Sequence, residues 1–185
     1  MVPGRRGETK MTLTISPVDA TVMTAIRTLL LDILPDGWEV FRGQANFVPE
    51  PIGDNFIVVT PAYRTRLSTN TVTWDNAVPD PSTLDHAHDL EVRVQLDIHG
   101  PGGADAGTMI ATIMRDDWGV ESLKSFGVTP LYANDGHQMP FLNAESKWED
   151  RWIVEAAFQI VPIVSTPAEF AATLETTINP PLGGP

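Results

Sequence analysis

The segment Leu90–Trp118 changes its hydrophobic period once, and this change is the strongest constraint on the fold. Aliphatic and polar residues alternate over Glu91–His99, which predicts a strand with one buried face and one wet face. A glycine-rich turn follows at Gly100–Gly103, and apolar residues then recur at helical spacing. The aliphatic residues of the strand are Val92, Val94, Leu96 and Ile98, and the apolar residues of the helix are Ala106, Met109, Ile110, Ile113, Met114 and Trp118. The sequence therefore predicts one β-turn-α unit.

A first helix is predicted upstream, because start and stop signals bracket an apolar stripe. Ser16, Pro17 and Asp19 provide an N-cap, a proline at the first helical position and an acidic residue in the first turn. Turn residues at positions 35–37 then end the helix near Leu34. The stripe consists of Val22, Ala25, Ile26, Leu29, Leu30 and Ile33. We expect this helix to pack on a sheet.

Between the first helix and the central unit, β-branched and aromatic residues predict further strands. The strands are predicted at Trp38–Arg42, Phe56–Pro61 and Tyr63–Trp74. The turn residues Ser68, Thr69 and Asn70 predict that the third of these folds into a hairpin. Two connections that contain proline, Gly43–Asn55 and Asn76–Asp85, are predicted to be long loops.

A second long alternating strand is predicted near the end of the chain, at Trp148–Val161. One face carries Trp152, Val154, Ala156, Phe158 and Ile160, and the other carries Arg151, Glu155 and Gln159. This strand is a natural antiparallel partner for Glu91–His99. Between the two strands, Val120–Phe126 is predicted to form a short helix and Gly127–Lys147 to be irregular.

These elements predict an α+β fold, because strands and helices do not alternate as they do in parallel α/β folds. We expect a mainly antiparallel twisted sheet with a long hairpin, and helices packed on one face. Residues 1–15 are predicted to form a flexible N-terminal arm and residues 16–164 a single domain. Residues 165–185 are predicted to form a Pro/Gly-rich tail with at most one short helix, Pro167–Glu175.

The composition argues against several classes of function. Twelve basic and 24 acidic residues give a formal net charge of −12, which opposes binding to nucleic-acid phosphates and anionic membranes. The chain has no cysteine, which excludes disulfides, thiolate zinc sites and thiol nucleophiles. No apolar run approaches the roughly 20 residues of a membrane-spanning helix, and the first residues lack the apolar core of a signal peptide. We expect a soluble protein that does not bind membranes.

His86 and His88 have a spacing that could bind a metal ion, because two histidines two apart on a strand point the same way. A catalytic zinc needs at least three protein ligands. The remaining histidines, His99 and His137, lie in other segments, and nothing in the sequence places them beside the pair. We therefore predict no metal site and interpret the pair as the polar start of a strand.

No catalytic motif is present. The glycine run GPGGADAG lacks the P-loop G-K-[ST] and the G-x-G-x-x-G spacing, and Asp105 would repel a phosphate. The acid pairs Asp116–Asp117 and Glu149–Asp150 border Trp118 and Trp148 at the predicted ends of elements, where solvation explains them better than acid-base catalysis. The G-x-S-x-G signature of serine nucleophiles is also absent. The sequence predicts neither enzyme activity nor a cofactor.

Five segments of the chain, in order, carry a resemblance to a known family. They are SPVDATVMTAIRTLLLDILP, VFRGQANFVPEP, FIVVTPAYRTRLSTNTVTWD, DLEVRVQLDIHGPGGADAGTMIATIMRD and WIVEAAFQIVP, within roughly Ser16–Val164. Their order and spacing resemble the phage neck or tail terminator family, which are head-to-tail joining proteins of tailed bacteriophages. The recurring parts of that family correspond to Glu91–His99, Gly100–Met114 and Trp152–Val161.

The resemblance implies a structural virion protein of the neck or tail, assembled in the host bacterial cytoplasm. Such a protein forms a ring, typically hexameric, that caps the tail tube and joins it to the head-tail connector or adaptor. Double-stranded DNA passes through the lumen without specific binding, and an acidic lumen would avoid tight contacts with its phosphates. The resemblance carries over no catalytic residues.

Two other classes of function remain open from the sequence. One is a tail tube or baseplate-associated structural protein, since subunits that contact head to tail either close into rings or propagate as open polymers. The other is a small enzyme or metal-binding module that uses His86 and His88. For a ring, Arg64, Arg66 and Trp74 are candidate subunit-interface residues, because Arg and Trp are enriched at interface centres. The alternative is a solvated hairpin face with Trp74 in the core.

Overall fold

The computed structural model describes residues 13–46, 49–75, 82–142, 146 and 148–168. The strands are β1 (Thr14–Ser16), β2 (Glu39–Arg42), β3 (Phe56–Arg66), β4 (Thr71–Asp75), β5 (Ser82–Ala87), β6 (Leu90–His99), β7 (Val128–Ala133), β8 (His137–Gln138), β9 (Phe141–Leu142), β10 (Trp148–Glu149), β11 (Arg151–Ile160) and β12 (Ile163–Ala168). The α-helices are α1 (Asp19–Ile33), α2 (Gly103–Ile113) and α3 (Asp117–Leu123), and a 3-10 turn follows at Lys124–Phe126. This is the predicted α+β class, with mostly antiparallel strands.

The larger sheet has the order β2-β3-β6-β11-β7, and β8 also pairs with β11. Its pairs are antiparallel except for β2 and β3, which are parallel. The two long alternating strands lie side by side at its centre, in register from Arg151 opposite His99 to Ile160 opposite Leu90. The antiparallel pairing predicted for these two strands is therefore confirmed.

The helices cover one face of the larger sheet. The four aliphatic residues predicted for the inner face of β6 are all buried, and so are the inward residues of β11 from Val154 onward. On α1, five of the six predicted stripe residues are buried, and Ile33 packs against the core from a partly exposed position. The alternating and helical periods therefore located the core correctly.

A smaller sheet has the order β1-β12-β5-β4, with every pair antiparallel. Three of its strands continue strands of the larger sheet, because β4 follows β3, β5 precedes β6, and β12 follows β11. We call these four strands the β-extension. β5 and β12 thus pair with each other as β6 and β11 do, but outside the part of the sheet that the helices cover.

The hairpin predicted around Ser68–Asn70 is wrong. β3 and β4 do not pair with each other, since β3 pairs with β6 and β4 pairs with β5. Ser68 instead accepts a hydrogen bond at Oγ from the backbone N–H of Asp89, at 2.8 Å. β5 directly precedes β6, so the pairing of β3 with β6 is followed beyond this bend by the pairing of β4 with β5. Pairing with strands that are distant in sequence therefore overrides the local turn signal. The later part of the predicted loop Asn76–Asp85 forms β5, and residues 76–81 lie outside the described residues.

Two helix boundaries also differ from prediction. α1 starts at Asp19 with Val18 as its N-cap, because Ser16 belongs to β1 and pairs with Ile163. The helical stripe predicted to reach Trp118 is interrupted after Ile113. Asp116 then caps α3 by accepting a hydrogen bond from the backbone N–H of Trp118 at 2.9 Å.

The region predicted to be irregular after Gly127 contains β7, which pairs with β11. Its sequence VTPLYA includes Pro130, and a proline within a run argues against a strand in a prediction from sequence. In the structure, the register of β7 on β11 shifts between Ala157 and Phe158. At the other end, the predicted tail begins inside β12, which runs to Ala168. The rest of the predicted helix Pro167–Glu175 lies outside the described residues.

The glycine turn before α2 is a close-packed junction. Gly100 has a φ of +100°, and a side chain there would overlap the backbone carbonyl oxygen of Asp54. The backbone N–H of Gly102 donates a hydrogen bond to Oδ1 of Asn55 at 3.1 Å. The turn therefore fastens the β6–α2 connection to the loop that precedes β3.

Candidate functional site

The β-extension presents an apolar face that continues the alternation of the main sheet. Residues paired directly across strands point to the same side, so Val72, His86, Val164 and Ile15 form one row. Trp74, Leu84 and Thr166 form the next row on that side. Ile15, Val72 and Trp74 are each more than half exposed, at 53%, 52% and 53%, as is Leu13 beside them at 57%.

The opposite face of the β-extension is more polar, although Ala87 and Ile163 pair with each other on it. Thr73, Asp85, Ser165 and Thr14 form one row across it, by the same register. A sheet with one polar and one apolar face normally buries the apolar one. The main packing of all three helices is against strands of the larger sheet and against each other. Among the described elements, the extension therefore leaves apolar residues partly exposed at its two edges.

Both edges of this sheet are open within the described part of the chain. There, β4 pairs with β5 alone and β1 pairs with β12 alone. All five residues of β4 and all three of β1 are exposed. Edge strands with free backbone groups can be extended by another strand.

The three predicted interface residues occupy two places. Arg64 and Arg66 lie at the end of β3, where the larger sheet meets the extension, and Trp74 lies within β4. Arg64 Nη2 donates to Oδ1 of Asp19 at 2.5 Å, while Arg66 Nη2 donates to Oδ1 of Asn70 at 2.8 Å. Because Trp74 is 53% exposed, it is not a core residue.

The histidines do not form a metal centre within the described residues. His86 lies on β5 with Nε2 3.4 Å from Oγ1 of Thr166, and His88 follows that strand. His99 is at the other end of β6, where its ring stacks on Phe56 with centroids 4.4 Å apart. Across the described ranges, no group of three or more His, Asp or Glu side chains is arranged to hold a metal ion.

The face of the larger sheet opposite the helices is mainly polar, and two of its arginines, Arg93 and Arg151, are each paired with a carboxylate. Arg151 forms an ion pair with Asp97, and its Nε donates to Asp97 Oδ1 at 3.0 Å. Arg93 Nε donates to Oε1 of Glu91 at 2.5 Å. The guanidinium of Arg93 also lies 5.5 Å from the centre of the Tyr63 ring. Such pairing reduces the attraction of this face for phosphates.

Near one end of this face, Glu149 and Asp150 line an open groove together with Glu50 and Asp54. His99 lines the same groove, and burial, followed by the nearby Arg151, lowers the pKa of its imidazole below 6.5. The acid pair at Asp116 has a structural role instead, as the cap of α3.

Sequence patterns missed a groove on the helical side. Ile33, Met109, Ile113 and Trp118 line it, from α1, α2 and α3. Trp118 is 47% exposed there, although its spacing had placed it on the buried stripe of one long helix. The acidic doublet at positions 116–117 is the signal that could have marked a new helix start.

None of the helices in the described ranges has the length and apolar character needed to cross a bilayer. No curated protein matches the chain. A family model described as phage neck terminator protein matches residues 20–181, which is most of the sequence and includes α1 from its second residue, α2, α3 and both central strands. The chain therefore belongs to the phage neck terminator protein family and is a structural component of the phage neck.

Proposed function

We propose that this protein forms a hexameric ring that caps the phage tail tube and joins it to the head-tail connector. The membership of the neck terminator family supports a place at this junction. The observation that carries the ring is the β-extension, because every residue of its edge strands β1 and β4 is exposed and both strands carry apolar side chains. Assembly occurs in the host bacterial cytoplasm, and the ring becomes part of the virion.

The exposed apolar residues of the β-extension favour assembly over a monomeric role. Natural proteins usually protect sheet edges with charged residues, proline or bulges, since an open edge invites pairing with another chain. β1 has the sequence TIS and β4 has the sequence TVTWD, so neither has a cation or a proline, and Asp75 at the end of β4 is the only charged residue of the two strands. A subunit of a permanent assembly does not need that protection, because a neighbour covers the edge.

The charge of the chain supports passage of duplex DNA through the ring without binding. The net charge is −12, and Arg93 and Arg151 on the polar sheet face are each paired with a carboxylate. A lumen with a surplus of carboxylates repels phosphates and lets the duplex slide. A lumen lined by unpaired lysines and arginines would contradict this part of the proposal.

Electron microscopy of the purified protein, combined with native mass measurement, tests the ring. We expect discrete rings with the mass of six subunits. Long tubes whose length grows with concentration would favour a tail tube protein instead, and a monomer at every concentration would overturn the proposal.

Arg66 is the better of the two candidate interface arginines, because Arg64 forms an ion pair with Asp19 at the start of α1, whereas Arg66 donates to the neutral side chain of Asn70. The variant Arg66→Glu should weaken ring assembly while the monomer keeps its fold. Lys124→Glu is the matched control, since Lys124 is exposed on the 3-10 turn and the charge change is identical. Equal assembly of the two variants would remove Arg66 from the interface.

A gel-shift assay with linear duplex DNA tests the acidic lumen. At about 50 mM salt, where phosphate contacts are strongest, the assembled ring should not retard the duplex. Retardation that disappears at high salt would show phosphate binding and would contradict the proposed passage without contact.

A further inference from the structure

We propose that β4 of one copy pairs with β1 of the next copy, so that the β-extensions of successive subunits form one continuous antiparallel sheet around the ring. This inference rests on the proposed ring and names the contact that closes it. It follows from three properties of the β-extension, which are its two open edges, the direction of its strands and the side on which its apolar residues lie.

The two open edges differ, as a ring requires. A head-to-tail interface joins one surface of a subunit to a different surface of the next, and repetition of that contact closes a ring. The β-extension carries β1 at one edge and β4 at the other, with β12 and β5 between them. Every copy therefore offers one edge to each of two neighbours, within the part of the chain that the structure describes.

The direction of the strands is also compatible with this contact. All three pairings within the β-extension are antiparallel, so β1 and β4, at opposite ends of a four-stranded sheet, run in opposite directions. Rotation about a ring axis moves the next copy without reversing its strands relative to that axis. The β1 strand of that copy therefore meets β4 in the antiparallel sense, and the sheet continues without a break in its pattern.

The apolar side chains of the two edges lie on the same face. By the register of the four strands, Ile15 on β1 shares a face with Val72 and Trp74 on β4. Each of the three is at least half exposed, and Leu13 lies next to β1 with 57% exposure. Edge-to-edge pairing places these side chains beside one another across the junction, where cross-strand apolar contacts stabilise a sheet. The same contact satisfies the outer backbone groups of both strands.

Disulfide trapping tests this contact cleanly, because the natural chain has no cysteine. The variants combine Ile15→Cys with Val72→Cys, or Ile15→Cys with Trp74→Cys, to allow for either register of the junction. Within one copy the two edges are three strand spacings apart, about 14 Å at roughly 4.8 Å per spacing. A disulfide requires Cα atoms within about 7 Å, so a bond between the edges must join different copies.

We expect oxidation of one of the two double variants to convert most chains into a covalent ladder that ends at the size of the ring. The matched control pairs Ile15→Cys with Thr73→Cys, whose side chain lies on the polar face, and it should give no ladder. The single variants should give none either, because each edge then lacks its partner thiol. A ladder of equal yield in the control would overturn the pairing.

Native mass measurement of the same samples separates this inference from the proposed function. Rings without a ladder in either double variant would overturn the edge-to-edge contact and leave the ring intact. The absence of rings in the unmodified protein would overturn both. Rings with a ladder confined to one double variant would support both and would also identify the register.

Discussion

At the scale of single residues, Asp97 is the charged residue that is buried within the described part of the chain. It is 7% exposed and lies on the face of β6 away from the helices. Arg151 from the neighbouring strand forms an ion pair with it, and Gln95 Nε2 donates to its two oxygens at 2.9 and 3.0 Å. A buried charge is tolerated because its hydrogen bonds replace those of water.

Replacing the partner of this carboxylate should therefore cost more than replacing an exposed one. We expect Arg151→Met to lower the free energy of unfolding by about 3 kcal/mol, since Asp97 keeps only the amide of Gln95. Urea denaturation at fixed protein concentration measures the loss. Arg93→Met is the control, because the pair of Arg93 with Glu91 is more exposed than that of Arg151 with Asp97, and its loss should be smaller. Equal losses would show that the pair with Asp97 contributes no more than a surface contact.

His99 gives the stability a dependence on pH. Burial, with a further contribution from Arg151, lowers the pKa of His99 below 6.5, so the folded protein favours the neutral imidazole. A group with a lowered pKa in the folded state binds fewer protons there than in the unfolded state. Its contribution to stability is present above about pH 6.5 and is lost as the pH falls towards the folded pKa.

The variant His99→Phe isolates this effect, because phenylalanine keeps a ring against Phe56 and does not titrate. Between pH 7.5 and pH 5.5, the natural protein should lose stability relative to the variant. Urea denaturation of both proteins at the two pH values measures the difference. A gap that is independent of pH would show that His99 does not titrate differently in the folded state.

At the scale of elements, the break between α2 and α3 decides which apolar residues are buried in the core. Ile110 lies in α2 and is fully buried, whereas Trp118 lies in α3 and is 47% exposed in an open groove. Both belong to the single stripe that the helical period predicted. The cap at Asp116 starts a new helix and turns Trp118 out of that stripe.

Truncation of these two side chains to alanine should lower the free energy of unfolding by clearly different amounts. Ile110→Ala should lower the free energy of unfolding by about 3 kcal/mol, through lost burial and the cavity left behind. Trp118→Ala should cost about 1 kcal/mol or less, although it removes the larger side chain. Thermal or urea unfolding compares the two, and a greater loss for Trp118→Ala would place that side chain in the core.

At the scale of the whole molecule, two different surfaces follow from one continuous set of strands. The part of the sheet made by β6 and β11 is covered by helices on its apolar side. The β-extension continues these strands and keeps their apolar side, but it leaves Ile15, Val72 and Trp74 more than half exposed. The covered part stabilises the monomer, and the extension is the part that we propose joins subunits.

An assembly variant should therefore leave the monomer intact. Trp74→Lys should raise the concentration at which rings form by at least tenfold, which corresponds to about 1.4 kcal/mol per contact. Trp148→Lys is the control, because Trp148 is 71% exposed on β10, outside the β-extension. Sedimentation velocity follows assembly, and circular dichroism checks that both variants keep their secondary structure. Equal assembly of the two would exclude Trp74 from the contact.

The sequence by itself determined the elements whose signal is local. The alternation in β6 and β11 and the stripe of α1 follow from side-chain periods of two and 3.6, so these faces could be predicted from the residues alone. The order of the segments was also enough for the resemblance to the neck terminator family, which the family model confirms. The segment TVTWD was recognised in the sequence as a strand, but as part of a predicted hairpin and not as an exposed edge.

Tertiary structure alone decided which strands pair and what covers each face. A period of two shows which side of a strand is apolar, but the partner of the strand depends on residues far away in sequence. Ser68–Asn70 therefore resembled a hairpin turn, while the pairing of β3 with β6 and of β4 with β5 made it a bend in a continuous ladder. For the same reason, Trp74 could not be assigned to core or surface until the position of the helices was known. Its exposure on an open edge is the feature on which the proposed ring contact depends.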